Sequence, residues 1–450
     1  MVNTSGTNGH DNGVAPSDEE LKEALWQYAR ENLTRTQRLA RLESEFQYKI
    51  SESTLKRLQT KFRVPSSRKP PPRHVAVGMI LDEMAHDPES RRSANTVKSM
   101  LAQGDVQIPR KIVREVTRRN ASTEQVDRRQ PGSRQNIHRV PLTTPGVNYE
   151  VSGDGHEKTN AQGLDMGGVG MDIYGIVEKC SSAIHCFVFV PSSRDKHTVG
   201  HIHLDYIEKY GAMSMQFSVD GGHETEFMFS QHLALRRERY APEYSFQEHN
   251  PWDSRKSVHN PRSEGTWRRW RDHTGKTFRE EMVKGKTNGL YHAGSYVRRQ
   301  DFLACPCPFS PLKFPQLRNL FQWLWPKIGQ KEADIYVNWW NAHHIRGQAA
   351  KLLPSSTTPN MVLQSPECYG YRRWDIPIPQ SAIDVLRGKI PVSRDEAFRW
   401  VDNEFDLAVQ SAYQKIGSPE LRCCNGWEIY KDILDKLLEM YGEDAPVFLL

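Results

Sequence analysis

The 450-residue chain has no run of about 18 apolar residues, the least that could cross a bilayer as a helix. Its opening stretch, MVNTSGTNGHDNGVAPSDEE, lacks both the basic start and the apolar core of a secretory signal. A soluble chain that is not secreted and has no membrane partner is therefore expected. Cysteine is sparse as well: seven residues, odd in number and scattered, which excludes a disulfide framework and points to a reducing compartment. No Cys or His pair stands at finger spacing from Cys305 and Cys307, so these read as a stray pair and not as half a zinc site.

What is present is a globular composition, 37% hydrophobic and 26% charged, in a chain too long for one core. The net charge of +6 is uneven. Residues 51–150 hold 19 Lys and Arg against 10 Asp and Glu, so that segment alone carries about +9 and calls for a polyanionic partner. Residues 1–17 are rich in Gly, Ser, Asn and Thr and read as a disordered tail. Residues 18–66 read as a helix capped by Ser17 followed by a helix-turn-helix. Leu39, Leu42, Phe46, Ile50, Leu55 and Leu58 form its apolar face, Ser51 or Ser53 caps its second helix, and Lys56, Arg57 and Lys61 lie outside. After the Pro-rich linker VPSSRKPPPR, residues 67–140 read as a second basic helical unit whose last helix carries Arg110, Lys111, Arg114, Arg118 and Arg119. Two basic helical units in tandem favour DNA contact over merely solvated faces.

From about residue 146 the pattern changes. GVNYEVSGD reads as a strand, MDIYGIVEKCSSAIHCFVFVPSS as two strands turning near Lys179 to Ser181, then a helix, the strand SMQFSVD and a second helix. Three strands, helix, strand, helix is the order of an α/β RNase H-like core with helices on both faces. In such a core a carboxylate at the end of the first strand and another at the end of the fourth lie side by side, within reach of a third on a later helix. Asp154, Asp220 and Glu264 are the candidates, and Asp172 is the rival for the first place. Asn260 and Pro261 suit a helix start that puts Glu264 in the first turn. Three hard oxygen ligands at one sheet edge would suit two divalent ions, Mg²⁺ or Mn²⁺.

At these residues the chain resembles a known group. DGHEK, GGVGMDIYG, VPSSRDKHTVGHIHLDYIE, VDGGHETEFM and SVHNPRSEGTWRRW are similar to the integrase core domain proteins of DDE transposase type that abound in mushroom-forming fungi, relatives of retroviral integrases. LFQWLWPKI and YVNWWNAHHIRGQAAKLLPSSTTP resemble that family's continuation. The resemblance implies catalytic, metal-binding roles for Asp154, Asp220 and Glu264, and DNA cleavage and strand transfer on transposon ends and target. It also implies a nuclear location, a homo-oligomer and a core over residues 146–350. Gly221, where the family often has Lys, and CSSAI in the hairpin depart from its pattern. A decayed or co-opted copy that binds DNA without chemistry is the rival reading, and a nuclease that cuts without joining is a third.

Residues 292–316 interrupt the family pattern and read as an insertion or translated intron. His201 and His203 alternate on a helix and cannot share its face. His343 and His344 could meet a phosphate or pack on Trp339 and Trp340. Tryptophans 267, 270, 323, 325, 339 and 340 read as core. Residues 351–450 form a helical C-terminal region without catalytic signature, which packs on the core or mediates self-association.

Overall fold

The computed structural model describes residues 12–87, 92–120, 142–166, 168–238, 241, 243–255, 261–291, 314–348 and 351–441. The interruption at 292–316 falls outside them up to residue 313, as do Asn260, Cys305, Cys307 and residues 1–11 of the expected tail. No helix among the described residues is long and apolar enough to cross a membrane. The chain is a mixed helix and sheet protein with two compact units. Unit 1 combines residues 1–150, 178–184 and 337–375; unit 2 combines residues 151–177, 185–336 and 376–450.

Unit 1 begins with helices α1 (Asp18–Arg30), α2 (Arg35–Phe46) and α3 (Glu52–Lys61). Ser17 with Glu20 and Thr34 with Gln37 form reciprocal capping boxes, and Ser51 caps α3, so each start satisfies backbone N–H groups that a helix leaves open. Between α2 and α3 the chain reverses at Gln47, whose φ of 51° lies in the left-handed region. Leu42 and Leu55 are buried in a common cluster with Leu21, Leu25 and Tyr28, and Leu39, Phe46, Ile50 and Leu58 pack against it. Met361, from far along the chain, completes that core. Residues 12–16 form no helix or strand, but the Lys49 N–H donates to the Asn12 carbonyl at 3.0 Å.

Helices α4 (Arg73–Ala85), α5 (Ala94–Gln103) and α6 (Arg110–Arg119) enclose a second cluster around Ala76, Ile80, Val97 and Val113. The two helical groups are joined by polar contacts. Arg30 makes a two-pronged ion pair with Asp105 at 2.8 and 2.9 Å, and Gln107 donates to the Ala29 carbonyl at 2.6 Å.

Strands β1 (Gly146–Val147), β2 (Glu150–His156), β3 (Asp172–Glu178), β4 (Ile184–Val190), β5 (Ala212–Met213), β6 (Gln216–Asp220) and β7 (Trp252–Arg255) follow. Five of them form one sheet in the order β4-β3-β2-β6-β7. The strand β7 was not expected. It pairs in parallel with β6, Phe217 opposite Trp252 and Asp220 opposite Arg255. Only four residues long and partly exposed, it has neither the continuous apolar run of a buried parallel strand nor a clean alternation.

The helices after β4 and β6, α7 (Lys196–Tyr210) and α8 (Glu226–Glu238), pack against each other. The C-terminal region of unit 2 packs on the same core: Arg387 pairs with Asp205 at 2.8 Å and with Glu208 at 2.7 Å, and Arg394 pairs with Asp205 at 2.9 Å. Of the six tryptophans read as core, all are buried.

Candidate active site

The burial of β2 changes along its length: Glu150 to Gly153 are buried, and Asp154 to His156 are half-exposed. In its neighbour β6 the interior Phe217, Ser218 and Val219 are buried and Asp220, the last residue, is half-exposed. Both acids therefore stand where adjacent central strands leave the core. The sequence places Asp154 at a strand end; the strand instead runs on to His156. Gly155 permits this, because a Cβ there would lie 3.0 Å from the Ser193 hydroxyl.

Glu264 lies in the first turn of the helix Pro261–Trp270 and is exposed. One turn further on, Trp267 donates its indole Nε1–H to Asp154 Oδ2 at 2.8 Å. This indole packs over Gly175 of β3, where a Cβ would come within 2.9 Å of it, and against Phe187 at 4.9 Å between centroids. His156 stacks on it at 4.6 Å and 12°.

The Asp154 carboxyl is pushed up to about 7. Burial is the main cause; the charge of Asp220 and then that of Glu264 add to it, while the Trp267 and Gly155 N–H groups oppose it. All three acids thus act on one electrostatic site. His156 is pushed down to about 4, first by burial and then by the charges of Lys158 and Arg271, both exposed at the site's margin. It is a neutral, stacked ring at ordinary pH.

The donor set fits divalent metal in kind: hard carboxylate oxygens, one of them costly to ionise until a cation arrives. Among the described residues, no three His, Cys, Asp or Glu side chains are gathered closely enough to cage an ion as they stand.

The rival, Asp172, is buried and accepts from the Ser193 N–H at 2.8 Å and hydroxyl at 3.1 Å. Neither Asp220 nor Glu264 is among the groups that shift it. Its contacts are those of a loop anchor. His201 meets the Val392 carbonyl, whereas His203 is buried against Gln231 and His232, so the two point to different partners. His343 packs on Trp339 at 4.8 Å, and His344 is exposed.

In unit 1 the basic residues read as DNA contacts, Lys56, Arg57, Lys61, Arg110, Lys111, Arg114, Arg118 and Arg119, are all exposed. Lys61 faces Asp18 at 2.5 Å and Arg119 faces Glu115 at 3.1 Å. Two contributors to the acid site escaped the sequence reading, Trp267 and His156. The spacing of Trp267 one turn after Glu264 on a helix next to the acids was the available signal.

Comparison with protein-family models and with curated proteins finds no match for this chain. The functional reading stands on the geometry just described and on the motifs themselves.

Proposed function

We propose that the chain is a DDE-type integrase or transposase, an RNase H-like core joined to helix-turn-helix DNA-binding units, which cuts DNA and joins strands with Mg²⁺ or Mn²⁺ in the nucleus. One observation carries this reading. Asp154, two residues before the end of β2, and Asp220, the last residue of β6, lie on adjacent central strands, and the helix bearing Glu264 is tied to Asp154 through Trp267. The sheet order third-second-first-fourth-fifth agrees with it.

Each residue has work in such a reaction. Asp154, Asp220 and Glu264 supply carboxylate oxygens, and exposed Lys158 and Arg271 offset their repulsion of a phosphate backbone. Partial burial of Asp154 keeps bulk water from screening the charges. A pair of divalent ions, when bound, would activate the attacking water or 3′-hydroxyl and stabilise the leaving oxygen of an in-line displacement.

The test is a plasmid-nicking and strand-joining assay with Mn²⁺ or Mg²⁺. Asp154→Asn, Asp220→Asn and Glu264→Gln should each lose on the order of 10²-fold or more in rate, since they remove several kcal/mol of charge stabilisation. The variants should keep the fold, and DNA binding should stay near wild type. As a helix-start charge alone, Glu264 would contribute about 0.3 to 1 kcal/mol of stability and nothing to the rate. Equal rates for wild type and all three variants would remove the triad. Wild type inert with every divalent ion would instead select DNA binding without chemistry.

A further inference from the structure

Trp267 links the helix that carries Glu264 to Asp154 on β2. Its ring is already fixed by packing: Gly175 lies under one part, His156 stacks on a face at 4.6 Å, and Phe187 abuts it at 4.9 Å between centroids. A buried indole N–H needs an acceptor: Trp340 and Trp427 use the Ser182 and Glu281 carbonyls, and Trp323 uses the Asp406 carboxylate at 2.7 Å. The acceptor of Trp267 is Asp154 Oδ2 at 2.8 Å, a carboxylate of the acid site. Its helix is the one that carries Glu264 three residues earlier, and residues three apart share a helix face.

We propose that Trp267 is a positioning residue for the acid site: its N–H holds one oxygen of Asp154, leaves the other to a divalent ion, and keeps the Glu264 helix beside β2. The inference rests on the metal-dependent reading of Asp154. Groups that hydrogen-bond a metal-ligating carboxylate set its orientation, and their loss typically weakens metal binding by roughly 10–100-fold.

The experiment measures Mn²⁺ binding to the full chain by the EPR signal of the free ion, which needs no turnover. Trp267→Phe keeps an aromatic ring in the site and deletes the donor together with part of the indole's volume. Its Mn²⁺ affinity should fall roughly 10–100-fold, with an unchanged circular dichroism spectrum. A wild type that binds Mn²⁺ together with a Trp267→Phe that binds it equally well overturns the positioning role and leaves the metal reading standing. A wild type with no Mn²⁺ binding overturns both.

Should Trp267→Phe fail to fold, hydrogen exchange of the ¹⁵N-labelled Trp267 indole decides. In wild type that N–H should exchange slowly, and in Asp154→Ala at least roughly tenfold faster, as the loss of one buried charge-assisted bond implies. Exchange that is the same in both proteins overturns the proposal.

Discussion

Asp154 faces opposed demands. Burial and two acidic neighbours disfavour its charge, yet a cation ligand has to be charged. Its carboxyl sits at about 7 against the ordinary 3.8. Between those two values the folded chain keeps a proton that the unfolded chain has released, so this group's contribution to stability falls as pH rises through the window. Asp154→Asn should accordingly stabilise the protein by on the order of 2–4 kcal/mol near pH 8 and by much less near pH 4. Urea unfolding at the two pH values checks it; an equal gain at both would mean that Asp154 ionises as it does in water. At this scale the placement of Asp154 and Asp220 on neighbouring strands was legible, because each follows an apolar strand pattern. Trp267 and His156 were not. The indole's acceptor is 113 residues away in the chain, and the one local hint, its place one turn after Glu264, does not say that its N–H has chosen a carboxylate.

Elements with strong local signals were read well. Ser17 and Ser51 begin helices as their side-chain chemistry dictates, and the apolar spacing of α2 and α3 found the right core positions. Irregular pieces were not visible. The helix Pro261–Trp270 passes through a π-helical turn at Arg271–Gly275 before α-helical geometry resumes at Lys276, and no residue pattern announces a shift of one residue per turn. The β3–β4 turn was located correctly, but its cause lies in one side chain. Buried Glu178 accepts from the Ser181 N–H at 2.6 Å, the Ser181 hydroxyl at 2.5 Å, the Cys180 N–H at 2.9 Å and the Asn148 N–H at 3.2 Å. The KCSSA segment is thus a turn built around a carboxylate. Glu178→Ala would leave those donors buried without their acceptor, and should cost about 3–5 kcal/mol in urea unfolding. A loss under about 1 kcal/mol would mean that water replaces the carboxylate.

Across the whole molecule the chain does not divide at contiguous boundaries. Residues 178–184 and 337–375 join the N-terminal helices in unit 1. Within it Asn341 clamps the Ile184 backbone through both its amide atoms at 2.8 and 3.0 Å, and Met361 fills the α1–α3 core. Sequence spacing carries no trace of such returns, since an Asn or a Met in a helix looks the same wherever its partner lies. What the sequence did show is the run of exposed cations on the helices of unit 1. Among the described residues Lys56, Arg57, Arg110, Lys111, Arg114 and Arg118 engage no acid, whereas Lys61 and Arg119 do. If these helices hold DNA, affinity of the full chain for a duplex should fall with salt at a slope of about −0.9 per phosphate neutralised. The paired and unpaired cations should then differ. Replacing both Arg114 and Arg118 by Gln should reduce the slope by roughly two, because each free guanidinium displaces its own counterion. Lys61→Gln should reduce it by less, since Asp18 already compensates that charge in the free protein. A double variant whose salt slope equals that of wild type would exclude the helix Arg110–Arg119 from the DNA interface, and a flat wild-type slope would exclude an electrostatic DNA interface altogether.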